Sequence, residues 1–279
     1  MENPSLFSIS LSSSQGEDEY NTDRLLFEYS FRRRQAPYGS MLTNIEIDPE
    51  GSYIYITDTS IIANEPGLVI YDARFNLSWR VLNGDVSVSM ETRLEMGVNE
   101  SPVLLWGFFP VKINVYSLAL SHDGNWLYFG SSTSGTIWRI HTSHLHRHGM
   151  KDEERVKEIQ IASAKPLSAG MAMDDHGNIY VTSIEESALI KIENADERAQ
   201  GSPEQKRSAS GLSLLARLPE LMNWPDGIVQ AHNGSSILIA CSGIHEHLRF
   251  YPSRDNDKSD FFRIIELKLG AHHASLEKV

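Results

Sequence analysis

Disulfide bonds are excluded within this chain, because its 279 residues include only one cysteine, Cys241. No apolar run approaches the ~20 residues of a transmembrane helix, so we expect no membrane partner. The first five residues, Met-Glu-Asn-Pro-Ser, contain an acid and a proline where a secretory signal would carry basic residues. For the chain as written, these features predict a cytoplasmic location.

An excess of basic residues is also lacking. The 25 Lys and Arg residues are outnumbered by 37 Asp and Glu residues, which gives a net charge of −12. A nucleic-acid-binding protein would need a basic stripe, so we expect no nucleic-acid partner. The sequence contains no nucleophile elbow, phosphate-binding loop or zinc-protease motif, and covalent hydrolysis and phosphoryl transfer therefore have no support.

One pattern recurs four times: an apolar alternating run, a polar turn that ends in glycine, and a second apolar run. The copies span residues 44–57, 117–130, 170–182 and 227–240. Alternation with a period of two indicates strands with one buried face, and the turn glycine supplies the positive φ of a tight hairpin. Hairpins repeated at intervals of tens of residues are typical of propeller blades. The pattern predicts an all-β fold, a β-propeller of four-stranded blades.

Further apolar runs supply the outer strands of these blades. They are residues 67–72 and 78–82 after the first copy, 136–141 after the second, 188–193 and 212–217 after the third, and 247–251 and 262–269 after the fourth. We therefore interpret residues 1–279 as a single propeller domain. Within it, residues 36–270 form the main blades and residues 271–279 a tail.

The N-terminal residues 1–35 are interpreted as the remnant of an incomplete first blade. Their apolar runs, 5–11 and 24–31, are typical of outer strands whose inner strands are missing. Because an open edge strand is a liability, either the missing strands come from elsewhere, as in self-association that completes the ring, or the chain is a shortened form of a propeller.

Two long connections lie outside the repeats. Residues 195–210 are polar and predict a mobile surface loop. Residues 83–111 contain the apolar stretch 104–109, which either covers the mouth of the central channel or packs on a blade.

Several segments resemble the major royal jelly protein and yellow family. They follow the order of the family's motifs and are residues 55–58, 67–74, 78–82, 118–124, 127–129, 165–172, 177–182 and 224–227. The resemblance implies a six-bladed propeller, and the family's N-terminal segment, with its signal peptide and first blade, has no counterpart in this chain. Members resemble dopachrome-converting isomerases, secreted nutritive or amine-binding proteins, or cyclases of microbial secondary metabolism. Members are commonly secreted.

The inner strands begin eight residues before each turn glycine, at Thr43, Tyr116, Ala169 and Asp226. In the related gluconolactonase and paraoxonase propellers, Asn and Asp residues at these positions converge on a divalent cation. Calcium requires six to eight hard oxygen ligands, and this chain offers one carboxylate there, with Asn44 one position along. We therefore expect no metal and no cofactor, and a metal-dependent lactonase is only the third hypothesis.

Asp226 and Tyr116 are the candidate catalytic residues. Asp226 is either a general acid or base with a raised pKa, or a cap of the turn at residues 224–225. Tyr116 either donates a hydrogen bond to a substrate carbonyl or packs in the core. The resemblance implies Asp-Gly at three inner-strand starts, and this chain retains it only at Asp226-Gly227.

The candidate ligand-binding residues lie around the same end of the channel. They are Thr43, Asn44, Ala169, Trp224, Trp106, Phe108, His245 and His247. The histidines at 141, 144, 146 and 148 lie among basic residues and are interpreted as structural rather than metal-binding. The predicted partner is one small organic molecule. The main hypothesis is a cofactor-free isomerase or cyclase of secondary metabolism, and the alternative is a non-catalytic or degenerate binding protein.

Overall fold

Four antiparallel, four-stranded sheets dominate the structure, which is a computed structural model. It describes residues 4–9, 25–98, 100–208, 211–231, 234–245, 248, 262–269 and 275–278. In each sheet the strands follow the order of the chain, from the inner strand to the outermost strand. This is the arrangement of propeller blades, and it confirms the predicted fold class.

The strands of the N-terminal pair and of the four blades can be named in chain order. The pair is β1 (Ser5–Ile9) and β2 (Leu25–Ser30), and blade 1 is β3 (Leu42–Ile47), β4 (Tyr53–Asp58), β5 (Gly67–Asp72) and β6 (Leu77–Val81). Four short strands follow: β7 (Gly97–Val98), β8 (Ser101–Pro102), β9 (Leu104–Leu105) and β10 (Phe109–Pro110). Blade 2 is β11 (Val115–Leu120), β12 (Trp126–Ser131), β13 (Thr136–His141) and β14 (Gln160–Ala164). Blade 3 is β15 (Met171–Met173), β16 (Ile179–Ser183), β17 (Ala188–Ile192) and β18 (Leu212–Arg217). Blade 4 is β19 (Trp224–Ala231), β20 (Ser236–Ser242), β21 (Phe262–Lys268) and β22 (Ser275–Lys278).

The inner hairpins form where the repeated pattern predicts them. Their turn glycines all have positive φ, +67° at Gly51, +71° at Gly124, +78° at Gly177 and +83° at Gly234. A side chain with a Cβ rarely adopts this conformation, so glycine is the residue that closes these hairpins without strain. The outer strand β14 was not recognised in the sequence.

Successive blades pack face to face, and the core lies between them. The inner strand β11 contacts β3 on one side and β15 on the other, and β15 contacts β19. Between blades 1 and 2, the buried cluster contains Tyr55, Leu68, Ile70, Phe129 and Ile140. The blades therefore form an arc around a common axis, with their inner strands nearest to that axis.

The predicted N-terminal remnant is a two-stranded sheet of β1 and β2. It packs on the outer part of blade 1, where Phe31 shares a buried cluster with Ile56 and Val69. Within the described ranges, no inner strands accompany this pair.

Two expectations for the end of the chain need correction. Residues 262–269 were expected to supply the fourth strand of blade 4, but β21 pairs directly with β20 and is therefore the third strand. Ser275–Lys278, expected to lie in a tail, pair with β21 as the fourth strand. Of the expected third strand, residues 247–251, only Leu248 is described.

The predicted surface loop at residues 195–210 instead contains two helices, α3 (Ala195–Gln200) and α4 (Pro203–Arg207). Ala195 and Ala199 are four residues apart and lie on one helix face, which is buried in the core cluster between blades 2 and 3. Ser202 and Gln205 form a capping box that starts the second helix. The capping box and the two buried alanines therefore stabilise helices in a segment whose polar composition had predicted a loop.

Two further short helices, α1 (Thr142–His146) and α2 (Asp152–Arg155), connect β13 to β14. Among the described residues, no helix combines the length and apolar character that crossing a membrane requires.

Candidate functional site

Bulges occur where three of the four inner strands begin. The register shifts between Leu42 and Ile45 in β3, between Val115 and Ser117 in β11, and between Pro225 and Ile228 in β19. The extra residues are those that the sequence places at the channel mouth: Thr43, Asn44, Tyr116, Asp226 and Gly227. Because a bulge turns side chains away from the regular alternation, it can direct them toward the channel instead of the neighbouring blade.

Tyr116 and Asp226 meet across the mouth, although they belong to blades 2 and 4. The Tyr116 hydroxyl donates a hydrogen bond of 3.3 Å to Asp226 Oδ2. Burial raises the pKa of Asp226, and the hydrogen bond from Tyr116 partly offsets that rise. Burial and the charge of Asp226 raise the pKa of Tyr116, so its hydroxyl stays protonated and acts as the donor.

Blade 3 permits this contact because it presents small residues at the mouth. A Cβ on Gly170 would lie 2.0 Å from the backbone oxygen of Asp226, so only glycine allows β19 to approach β15 this closely. Ala169, the neighbouring residue, is buried. No backbone N–H donates to the Asp226 carboxylate within the described ranges, as a turn cap would require.

On the blade 1 side, the predicted binding residues hold blades together. The Thr43 hydroxyl hydrogen bonds to the hydroxyls of Thr57 and Thr59, each at 2.8 Å. Asn44 Nδ2 donates to the Tyr116 carbonyl oxygen at 2.8 Å, which joins blade 1 to blade 2. The Thr59 hydroxyl donates to the Val115 carbonyl at 2.9 Å. These polar groups are thus already engaged within the fold.

The connection at residues 83–111, named the covering segment, packs over the mouth as well as on the blades. Its residues Met96, Val98 and Val103 share a buried cluster with Ala169 and Trp224. Trp224 is only 4% exposed, so it packs beneath the covering segment.

The apolar hairpin β9–β10 projects from the covering segment. Trp106 and Phe108 lie at its tip and are 59% and 81% exposed. The backbone N–H of Trp106 donates to the Leu248 carbonyl oxygen at 3.0 Å, which ties the hairpin to the blade 4 side of the mouth. The structure therefore places Trp106 and Phe108 at the rim of the mouth and not in an enclosed pocket.

The His245 ring lies nearly parallel to that of Trp224, with centroids 6.2 Å apart and planes 10° apart. It therefore lies on the same side of the mouth as Asp226. His247, the other histidine predicted to bind ligand, lies outside the described residues.

Glu46 is a partly buried carboxyl group on the inner strand of blade 1 that was not singled out from the sequence. It lies on β3 two residues after Asn44, so the two side chains share a face of the strand. Its partner across the sheet is Tyr55, which packs between blades 1 and 2. Burial raises the pKa of Glu46 to about 7. The sequence pattern predicts the opposite, because alternation would bury Ile45 and Ile47 and expose Glu46, whereas the two isoleucines are 46% and 54% exposed.

The histidine-rich segment after β13 of blade 2 makes structural contacts, and one of its histidines contacts blade 1. The His146 ring stacks on Tyr53 at 3.6 Å, and its Nε2 hydrogen bonds to the Tyr55 hydroxyl at 2.7 Å. His141 caps the following helix by accepting from the Ser143 N–H. In the part of the chain that the structure describes, no three His, Cys, Asp or Glu residues cluster closely enough to hold a metal ion.

Solved structures with this architecture support the fold assignment alone, because their sequence identities are low. A luciferin-regenerating enzyme superposes with a TM-score of 0.52 and 12% identity, covering 91% of this chain and 70% of that chain. A nidogen/laminin complex superposes with a TM-score of 0.54 and 12% identity, and the alignment covers 96% of this chain and 72% of that chain. Hydrazine synthase from Kuenenia stuttgartiensis, with a TM-score of 0.45 and 11% identity, is too distant to support the fold assignment. That alignment covers 84% of this chain and 48% of the hydrazine synthase chain.

Sequence comparison gives a more specific result than structural comparison. No curated protein matches the chain. The sequence profile of the major royal jelly protein family matches residues 19–229, which is more than half of the chain and includes blades 1, 2 and 3. The matched region also contains the bulged strand starts at Thr43, Tyr116 and Asp226. The chain therefore belongs to the major royal jelly protein family.

Proposed function

We propose that this chain binds one small organic molecule at the channel mouth and acts as a cofactor-free isomerase or cyclase in secondary metabolism. The observation that carries the proposal is the contact between Tyr116 and Asp226 beneath the covering segment. Burial raises the pKa of the Asp226 carboxyl group, which favours its protonated form and suits it to take up and return a proton as a general acid or base.

The two residues would have separate roles in such a reaction. Asp226 moves a proton on the substrate, while the Tyr116 hydroxyl donates a hydrogen bond to a substrate oxygen. The apolar covering segment would orient the substrate and exclude water, which favours reactions that depend on conformation. On the blade 1 side of the mouth, the amide oxygen of Asn44 receives no hydrogen bond within the described ranges and would be available as an acceptor for the substrate.

A second candidate is a non-catalytic binding protein. It is favoured by the hydrogen bonds of Thr43 and Asn44, which are used to join blades 1 and 2. Such a protein would use the mouth for shape recognition, and its ligand would leave unchanged.

The deciding experiment compares small-molecule extracts of the source organism with and without this gene. The gene is then restored as the wild type, as Asp226→Asn or as Asp175→Asn, a matched change of an exposed aspartate. We expect a precursor to accumulate without the gene, and we expect only wild type and Asp175→Asn to restore its product. An unchanged extract would contradict catalysis and favour the binding role. Restoration by Asp226→Asn would contradict the role of the carboxyl group.

The metal-dependent lactonase is the third hypothesis. At the strand starts, a single carboxylate, that of Asp226, would provide the charge that a divalent cation requires. A large rise in melting temperature with calcium would support it, and no shift at saturating calcium would remove it.

A further inference from the structure

Two loops at the mouth end of blade 1 expose large apolar side chains to solvent. One loop, residues 31–41, joins β2 to β3, and the other, residues 59–66, joins β4 to β5. Tyr38 is 73% exposed in the first loop, and Ile61 and Ile62 are 50% and 87% exposed in the second. The two loops together are named the blade 1 rim. Grouped apolar side chains that protrude in this way are typical of interaction surfaces.

The two loops of the blade 1 rim contact each other, and hydrogen bonds hold their backbones. A Cβ on Gly39 would lie 2.9 Å from the Cβ of Ala63, so the loops meet at this point. The Asp58 carboxylate joins them, because its Oδ1 accepts from the N–H of Met41 at 2.8 Å and from the N–H of Ser60 at 3.0 Å. The rim therefore presents its apolar side chains from an ordered backbone.

The blade 1 rim is basic, although the chain as a whole carries a net charge of −12. The first loop contains Arg32, Arg33 and Arg34 and no acidic residue, and the second loop contains one acidic residue, Glu65. Arg32 and Arg34 are exposed. The Arg33 guanidinium lies 4.1 Å from the centre of the Tyr38 ring, in the range of a cation–π contact. Positive charge, an aromatic ring and aliphatic side chains thus share one surface.

A membrane surface that contains anionic lipid matches this combination. An aliphatic side chain such as Ile62 can enter the boundary between headgroups and acyl chains, because a bilayer needs no preformed groove to receive it. Tyrosine is favoured at the level of the headgroups, and arginine is attracted to anionic lipid. Trp106 and Phe108 are also exposed at the mouth end of the blades, as expected if that end faces a membrane. A protein partner would instead need a cavity shaped to the protruding isoleucines.

We propose that the blade 1 rim binds the surface of a membrane that contains anionic lipid. Ile61 and Ile62 insert among the lipids, and Arg32 and Arg34 contact the lipid phosphates. The proposal departs from the expectation of no membrane partner, which rests on the lack of a membrane-spanning run, because surface binding requires no such run. It does not depend on catalysis at the channel mouth.

Sedimentation with lipid vesicles tests the proposal. The chain is mixed with vesicles of phosphatidylcholine alone or with vesicles that also contain roughly 30% phosphatidylserine. We expect the wild type to bind the phosphatidylserine vesicles at least about tenfold more tightly than phosphatidylcholine alone. Binding should weaken strongly when the salt concentration rises from about 0.1 M to about 1 M, because salt screens the attraction between arginine and lipid.

The variant Ile62→Asp tests insertion, and it should weaken binding to the phosphatidylserine vesicles at least about tenfold. The matched control is Phe75→Asp, because Phe75 is 75% exposed in the turn between β5 and β6, at the opposite end of blade 1. The control should bind within about twofold of wild type. Circular dichroism and melting temperature establish that each variant is folded.

The double variant Arg32→Glu/Arg34→Glu tests the contribution of charge and should also weaken binding at least about tenfold. Its control, Lys151→Glu/Lys157→Glu, makes the same change in net charge at two exposed lysines between β13 and β14. This control should retain most of the binding.

Three results would overturn the proposal: no binding of the wild type to phosphatidylserine vesicles, equal binding to phosphatidylcholine alone, or equal binding by Ile62→Asp. Retention of the chain on immobilised polyglutamate, without binding to vesicles, would identify an acidic protein segment as the partner and overturn the choice of a membrane.

Discussion

The two sides of the channel mouth use equivalent strand positions differently. On the blade 1 side, Thr43 and Asn44 make short hydrogen bonds of 2.8 Å that join neighbouring strands and blades. On the blade 4 side, Asp226 accepts a longer bond of 3.3 Å from Tyr116. Both sets of residues lie in bulges at the starts of inner strands. A bulge at the start of an inner strand thus places residues that hydrogen bond within the fold on the blade 1 side, and a buried titratable carboxyl group on the blade 4 side.

This difference indicates that a residue's position in a propeller does not decide whether it serves stability or function. A side chain whose hydrogen bonds are made to neighbouring residues contributes to the free energy of folding. Removing it leaves the buried donors and acceptors of those neighbours without a hydrogen-bond partner. A buried carboxyl group with few partners is unfavourable when ionised, and natural proteins commonly retain such groups at functional sites. Substitutions on the blade 1 side should therefore destabilise the fold more than substitution of Asp226.

Arg80→Met should have the largest effect. Arg80 on the outer strand β6 and Asp58 at the end of β4 form a buried ion pair of 2.5 Å within blade 1. Removing the arginine leaves a buried carboxylate without its cation, and we expect a loss of about 3–5 kcal/mol in unfolding free energy. Urea denaturation measures it. Arg93→Met, which disrupts an exposed pair with Glu91, is the control and should leave the midpoint nearly unchanged.

Glu46→Gln should change how stability depends on pH. The folded chain holds the Glu46 proton more tightly than the unfolded chain, because burial raises its pKa from 4.5 to about 7. The wild type should therefore lose up to about 3 kcal/mol as the pH rises from 4.5 through 7, and the variant should not. Parallel pH profiles for the two proteins would contradict this assignment.

Gly170→Ala should disturb the blade 4 side through packing. The added methyl group overlaps the Asp226 carbonyl, and overpacking of this kind costs about 1–3 kcal/mol. Gly227→Ala is the matched control, because a Cβ there meets no atom within 4 Å. Equal melting temperatures for the two variants would contradict the close approach of β15 and β19.

Thr57→Val should weaken the blade 1 side. The Asn44 N–H loses its hydroxyl acceptor at 2.9 Å, and Thr43 loses a partner. We expect a loss of about 1–2 kcal/mol in unfolding free energy. Thr136→Val, in the third strand of blade 2, serves as the control in the same denaturation experiment.

Asp226→Asn should have the smallest effect on the free energy of unfolding. Unlike the preceding substitutions, it should stabilise the fold slightly and not destabilise it. The raised pKa means that the folded state binds more protons than the unfolded state above pH 3.8, so stability falls as the pH rises through that window. An amide cannot ionise, and the variant should be at least as stable as the wild type at pH 7. Marked destabilisation at pH 7 would show that the ionised carboxylate supports the fold.

Much of the fold was predictable from local patterns. The hairpins follow from alternation and a turn glycine, which are encoded within about fourteen residues and depend little on distant contacts. The last blade was predicted less well, because strand β22 lies in a short polar segment where alternation gives no signal. The helices at residues 195–207 were missed because Ala195 and Ala199 become an apolar face only when a neighbouring strand covers them.

The site was predictable in position but not in its contacts. Counting back from the turn glycines identified Tyr116 and Asp226, since the inner hairpins share one register. Their meeting depends on Gly170, whose effect arises from the approach of two blades and has no local signature. The hydrogen bonds that engage Thr43 and Asn44 likewise join β3 to β4 and β11, which a single strand cannot reveal.

The hydrogen bond between Trp106 and Leu248 sets an order for assembly of the protein. The two residues are separated by most of blades 2, 3 and 4, so their contact closes a long loop of chain. Loop closure of this length costs entropy before any contact stabilises it, and such contacts form late in folding. During synthesis, the covering segment leaves the ribosome long before Leu248 does. The mouth of the channel therefore stays open until the last blade is made, and its apolar hairpin is accessible to chaperones in the meantime.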